Sequence, residues 1–125
     1  SQIKVNDITN ASGGIPTVKS QQLIPTAWVN FNGTGTVAIR DSENVSSITD
    51  LAVGDFRITI ATALASINYA VIGSCGSSST RIGQFLETSV YEARTTTTVR
   101  VGPISYSGAP QDSSYVDVAI LGGQS

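Results

Sequence analysis

The side chains able to do chemistry are few, and the gaps among them narrow the options. The chain has no histidine, which removes His-based triads, His metal ligands and His general bases. Cys75 is the single cysteine. Alone it forms neither an intrachain disulfide nor a Cys-rich zinc site. With no His to activate it, it reads as a small apolar residue in a strand beside Gly73. The fold must then rest on packing or oligomerisation, which suits synthesis in a reducing cytoplasm.

Nine Asp and Glu remain. Asp41 and Glu43 are two apart, so on a strand they share a face, and Asn44 follows them. A calcium site would need roughly six to eight oxygens, and the spacing is not that of an EF-hand. A solvated hairpin end is the simpler reading. Glycoside hydrolysis needs two carboxylates converging across a cleft. Glu87, Glu92, Asp112 and Asp117 are the candidates, but nothing in their spacing brings them together. Gly33-Thr34-Gly35 lacks the helix and Lys of a phosphate loop, and Gly122-Gly123 reads as a frayed end. The sequence therefore implies no catalytic residue, no metal ligand and no cofactor. Trp28 has three readings: a cap on the core, a subunit-interface residue, or a platform for a sugar ring. Packing is the commonest role for a lone Trp.

The elements that must position these residues read as strands. Apolar residues alternate with period two in Phe56-Arg57-Ile58-Thr59-Ile60, with Phe56, Ile58 and Ile60 on one face. The same holds for Thr36-Val37-Ala38-Ile39-Arg40, for Thr97-Thr98-Val99-Arg100-Val101, and for Tyr115-Val116-Asp117-Val118-Ala119-Ile120-Leu121. Residues 69–73 form a further apolar run. Asn32-Gly33 is the strongest hairpin signal, because both residues accept positive φ, so residues 27–31 should pair with residues 36–40. Val53-Gly54-Asp55, residues 76–79 and residues 107–112 supply further turns. No amphipathic helix is evident. Many short strands with frequent turns predict an all-β protein, an antiparallel, jelly-roll-like β-sandwich.

The chain has 125 residues, one domain's worth and enough for a core without staples. Charged residues make up only 13%, about half the usual share, with Ser and Thr filling the gap. A hydroxyl-rich surface suits a β-rich secreted protein, and equally an assembled shell or fibre, where like charges would repel between copies. The net charge is −2 and there is no basic cluster, so nothing points to nucleic acid. No apolar run approaches the roughly 20 residues of a membrane helix. Ser1-Gln2-Ile3-Lys4 does not open a signal peptide. Ser1 fits a residue left by Met removal, which would make this a whole gene product.

Residues 1–25 differ from the rest. Ile3, Val5 and Ile8 are expected to form a short strand, followed by a flexible Asn10-Ala11-Ser12-Gly13-Gly14-Ile15-Pro16 link, and Pro25 closes the segment. This gives an extended N-terminal arm for docking or assembly (residues 1–25) and a β-sandwich domain (residues 26–125). The arm either docks on a neighbouring chain through Ile3, Val5 and Ile8 or folds back on its own domain. Contacts with a partner are expected in loops held by a rigid sheet. The residues singled out are Ser77, Ser78 and Arg81 in one loop, with Tyr106, Gln111, Asp112 and Tyr115 in and around another. Tyr91 and the Thr residues at 95–98 read equally as plain surface.

The stretch Ala27-Trp28-Val29-Asn30-Phe31-Asn32-Gly33-Thr34-Gly35-Thr36-Val37-Ala38-Ile39-Arg40, running on to Asp50, resembles the C-terminal β domain of tailed-phage tail-fibre proteins. Gly54-Asp55-Phe56-Arg57-Ile58-Thr59-Ile60, Asn68-Tyr69-Ala70-Val71 and Val116-Asp117-Val118-Ala119-Ile120-Leu121-Gly122 fit the same pattern, so the resemblance spans roughly residues 27–122. Ile3-Lys4-Val5-Asn6-Asp7-Ile8 and the Ser-Gly element after it are similar to the opening of many phage fibre proteins. There it often precedes a shaft, whereas here the β domain follows almost directly. The resemblance implies a homotrimer on the virion surface, assembled in the bacterial cytoplasm, with host attachment as its role and no catalytic residues. Expected partners are other phage virion proteins and a host cell-surface glycan or protein. The missing shaft keeps a capsid decoration protein or head fibre, anchored by the arm, as the alternative.

Overall fold

The computed structural model describes residues 1–9, 11–13, 24–77, 82–88 and 91–124. Eight strands follow in order: β1 (Ala27–Asn32), β2 (Ala38–Glu43), β3 (Val45–Ala52), β4 (Asp55–Ile60), β5 (Tyr69–Gly76), β6 (Ile82–Glu87), β7 (Thr98–Ser105) and β8 (Tyr115–Gly122). They form two four-stranded sheets, β2-β1-β8-β5 and β3-β4-β7-β6, with every pairing antiparallel. Among the described residues there is no helix. The protein is an all-β sandwich, and its first and last strands lie side by side.

Period-two alternation builds the core. Val29 and Phe31 of β1 stand beside Val118 and Val116 of β8, and Phe56 and Ile58 of β4 beside Val101 and Val99 of β7. All eight are buried in one cluster with Ile60 and Ile120. The two inner faces meet where Phe31 and Phe56 pack edge to face, ring centres 5.2 Å apart. Such a pair contributes roughly 0.5–1.5 kcal/mol beyond its burial.

Several expectations are corrected. Residues 1–9 contain no strand, and Ile3, Val5 and Ile8 are 91%, 56% and 72% exposed. A strand needs a partner for its backbone groups, and none is offered to this segment by the described residues. Asn10 and residues 14–16 of the link, and the loop residues Ser78 and Arg81, lie outside the described residues. The hairpin after β1 has the expected strands, but the pairing resumes at Asn32 and Ala38 across a longer loop. Gly35 takes the positive φ, +57°, rather than Asn32 and Gly33. The Asn32 side chain instead accepts hydrogen bonds from the Thr34 amide (3.0 Å) and hydroxyl (2.7 Å), an Asx turn. Gly122-Gly123 is not frayed. The Gly123 carbonyl accepts from the amides of Ala65 and Ser66, and its own amide donates to Asn68 O. Cys75 faces the interior but is half-buried, and burial is the main cause pushing its thiol up from its ordinary value.

On the outer face of β4 and β7, Arg57 lies directly opposite Arg100, a pairing that repels unless neutralised. Arg57 donates to both oxygens of Glu92 (2.7 and 3.0 Å), and Arg100 Nε donates to Asp55 (2.7 Å). The Arg57 hydrogen bond holds the Glu92 carboxyl below its ordinary value near 4.5, with the charges of Arg57 and Arg100 adding to it. A depressed folded value means that the stabilisation is present above the ordinary value and is lost as pH falls through the lowered one. Carboxyl-carbon NMR should therefore find Glu92 titrating below a normal glutamate, and Arg57→Gln should move its midpoint back up. An unchanged midpoint in the variant would remove the pair from the account.

Antiparallel order sorts the connections into two ends. The β1–β2, β3–β4 and β7–β8 loops and the end of β5 gather at one end, and residues 24–26 enter at the other. There, Asn44 Nδ2 donates to Thr26 O (2.9 Å) and Asn44 Oδ1 accepts from the Thr62 amide (2.7 Å).

Candidate functional site

The loop end is assembled around Ser113, which is fully buried. Its carbonyl accepts from the Gly33 amide (2.8 Å), and its hydroxyl reaches the carbonyls of Gly76 and Tyr115. One serine thus ties together the β1–β2, β5–β6 and β7–β8 connections. Of the residues singled out from sequence, Tyr115 and Ser77 come together, since Tyr115 is paired with Gly76. Tyr115 is half-exposed, with the Arg40 guanidinium 4.4 Å above its ring. Tyr106 stands apart at the β7 end and is 85% exposed. Gln111 and Asp112 are half-buried, and Gln111 is held through its backbone. The Gln111 amide donates to Pro103 O (3.1 Å), and Asp112 Oδ1 accepts from the Gly54 amide (2.8 Å). Asp112 therefore holds the β3–β4 turn against the β7–β8 loop, while Gln111 ties that loop back to β7.

The acids considered for hydrolysis are each bound to a different partner: Glu87 to Arg94, Glu92 to Arg57, Asp112 to Gly54 and Asp117 to Asn30. Asp41 and Glu43 stand exposed on β2. Among the described residues, no three acidic, His or Cys side chains converge on one point.

A second surface lies on the outer face of β2-β1-β8-β5. Strand register lays two rows across it. One row reads Glu43, Trp28, Ala119, Ile72, and the next reads Asp41, Asn30, Asp117, Ser74. Trp28 and Ile72 are 36% and 57% exposed, and the β1, β8 and β5 members of the two rows line an open depression of about 380 Å³, with Asp41 and Glu43 beside it on β2. In the polar row, Asn30 Nδ2 donates to Asp117 Oδ1, and the Ser74 hydroxyl approaches Asp117 Oδ2 at 3.5 Å. Sequence reasoning weighed Trp28 and Asp117 separately and passed over Asn30 and Ser74. Their alternation with core residues on the same strands is the signal that puts them on one outer face.

Comparison with protein-family models, curated proteins and solved structures gave no match.

Proposed function

We propose that the chain is a non-enzymatic virion protein, a homotrimeric domain of the tail-fibre or receptor-binding type that attaches a phage particle to its bacterial host. The observation that carries this reading is the polarity of the sandwich. Residues 24–26 enter at one end, and Ser77, Tyr106 and the start of β8 at Tyr115 lie at the other, as a module anchored at its base and presented at its tip requires. The resemblance of residues 27–122 to tail-fibre domains supports it, as does a surface poor in charge. Ile3, Val5 and Ile8, exposed among the described residues, supply apolar side chains for packing between subunits or on a larger virion protein. That same exposed arm favours the second reading, a capsid decoration protein or head fibre plugged into the shell.

Light scattering should give three times the 12.9 kDa of one chain, and a monomer would contradict the trimer. Purified, fluorescently tagged protein should bind host cells saturably and be washed from an unrelated bacterium. Absence of saturable binding would overturn the attachment role.

A further inference from the structure

We infer that the Trp28 face is a binding subsite for a neutral pyranose sugar. The inference rests on the attachment reading for the surface on which such a sugar would be met, but the site is argued from its own residues. A pyranose has one apolar C–H face and a rim of hydroxyls. Its recognition needs an exposed aromatic plane with hydrogen-bonding groups at the edge of that plane. Trp28 supplies the plane, extended by Ile72 across Ala119. Two residues further along the strands, about 7 Å away, the row of Asn30, Asp117 and Ser74 supplies the rim.

The arrangement within that row is set before any ligand arrives. Asn30 spends one N–H on Asp117 Oδ1, which fixes both side chains. The other amide N–H and the amide oxygen of Asn30 are left to meet hydroxyls. Asp117 Oδ2 has only the 3.5 Å approach of Ser74 and retains lone pairs for a hydroxyl donor. A carboxylate acceptor beside an amide that both donates and accepts matches two vicinal hydroxyls. The depression, about 380 Å³, is open, so a sugar would rest on it with one face covered and the other in water.

Charge selects the class of sugar. Asp41, Glu43 and Asp117 all lie in the two rows, and the rows contain no Lys or Arg. Arg40, further along this face, is committed to the Tyr115 ring and to Ser114 O. Uronic acids and phosphorylated sugars would therefore be repelled. The same acids argue against a second copy of the chain as occupant. A like face would set carboxylates against carboxylates around three apolar residues, far short of the roughly 800 Å² per partner of a stable interface.

Trp28 is the only tryptophan, so its emission reports this face alone. Purified protein is titrated with methyl α-D-mannoside, methyl β-D-glucoside, methyl β-D-galactoside and N-acetylglucosamine, and with methyl β-D-glucuronide as the anionic control. The expected result is a saturable change in emission with at least one neutral sugar, with a dissociation constant on the order of 1 mM. Asp117→Asn should weaken it at least tenfold, and the glucuronide should give no change. No saturable change with any neutral sugar, equal affinity in Asp117→Asn, or emission that follows protein concentration instead of sugar would each overturn the subsite. The last would show that a second copy covers the face. Cell adsorption separates this inference from the reading beneath it. If wild type and Trp28→Ala adsorb equally, attachment stands and the subsite falls; if sugars bind but cells do not, attachment falls and the subsite stands.

Discussion

Phe56→Ala is expected to destabilise the domain by about 3–5 kcal/mol, the largest effect of any single truncation considered. Phe56 is fully buried at the centre of β4, and its ring meets Phe31 across the two sheets. Removing it takes away the transfer energy of the ring and the edge-to-face contact, and leaves a cavity lined by strands on both sides. The hydrogen-bonded ladders of β4 with β3 and β7 prevent the sheets from closing over that cavity. Total stability for a domain of this kind is about 5–15 kcal/mol, so the variant would retain a narrow margin or none. Urea unfolding followed by far-ultraviolet circular dichroism should show the midpoint falling with the slope unchanged. A loss below about 1 kcal/mol would mean that the two sheets are not joined through this ring pair.

Gly102→Ala should cost about 3 kcal/mol or more, at the upper end for overpacking. A Cβ at this buried position in β7 would fall on the carbonyl oxygen of Gly54, inside van der Waals contact. A flexible side chain would move away, but this obstacle is backbone, and it is held. Gly54 sits at φ +62°, its amide bonded to Asp112, while the adjacent Gln111 amide is bonded to Pro103. Gly35 provides the contrast. It too has a positive φ, but nothing lies within 4 Å of its would-be Cβ. Gly35→Ala should therefore cost only the left-handed strain of one residue, about 1–2 kcal/mol. Thermal unfolding of the two variants should rank Gly102→Ala well below Gly35→Ala, and the reverse order would contradict the packing of the β3–β4 turn on β7.

The pattern of success from sequence follows burial. The central strands were legible because one face of each is dry. Phe56, Ile58 and Ile60 alternate with half-buried residues without a break, as do Val116, Val118 and Ile120. β2, β3, β5 and β6 are the edge strands, and β2, β3 and β5 lack a fully dry face. β2 and β5 are legible through the Asn-Gly turn and an apolar run, but in β3 and β6 the signal fades. In β3 no residue is fully buried, so its sequence carries no strict period. The strand was present in the sequence only within the stretch that resembles tail-fibre domains, and β6 was not anticipated. Ile3 and Val5 show the converse error, since alternation alone does not supply a partner strand. The turn after β1 was found by its Asn-Gly, but its geometry turned on where the Asn32 side chain bonds, which composition does not reveal. The Trp28 face was legible only in part. Trp28 alone reads as a core cap, an interface residue or a sugar platform, and Asn30 and Asp117 stand 87 positions apart, so only the register of β1 on β8 makes them neighbours.

The central claim is that the chain belongs to a phage particle as its attachment module, and localisation tests it most directly. Antibody raised against the purified protein, gold-labelled and applied to intact particles whose genome encodes this chain, would be imaged by electron microscopy. The account predicts gold at the tail, on the fibres or tip that meet the host. Gold confined to the capsid would contradict the attachment role in favour of decoration, and particles bare of gold beside a labelled control would contradict the virion assignment altogether.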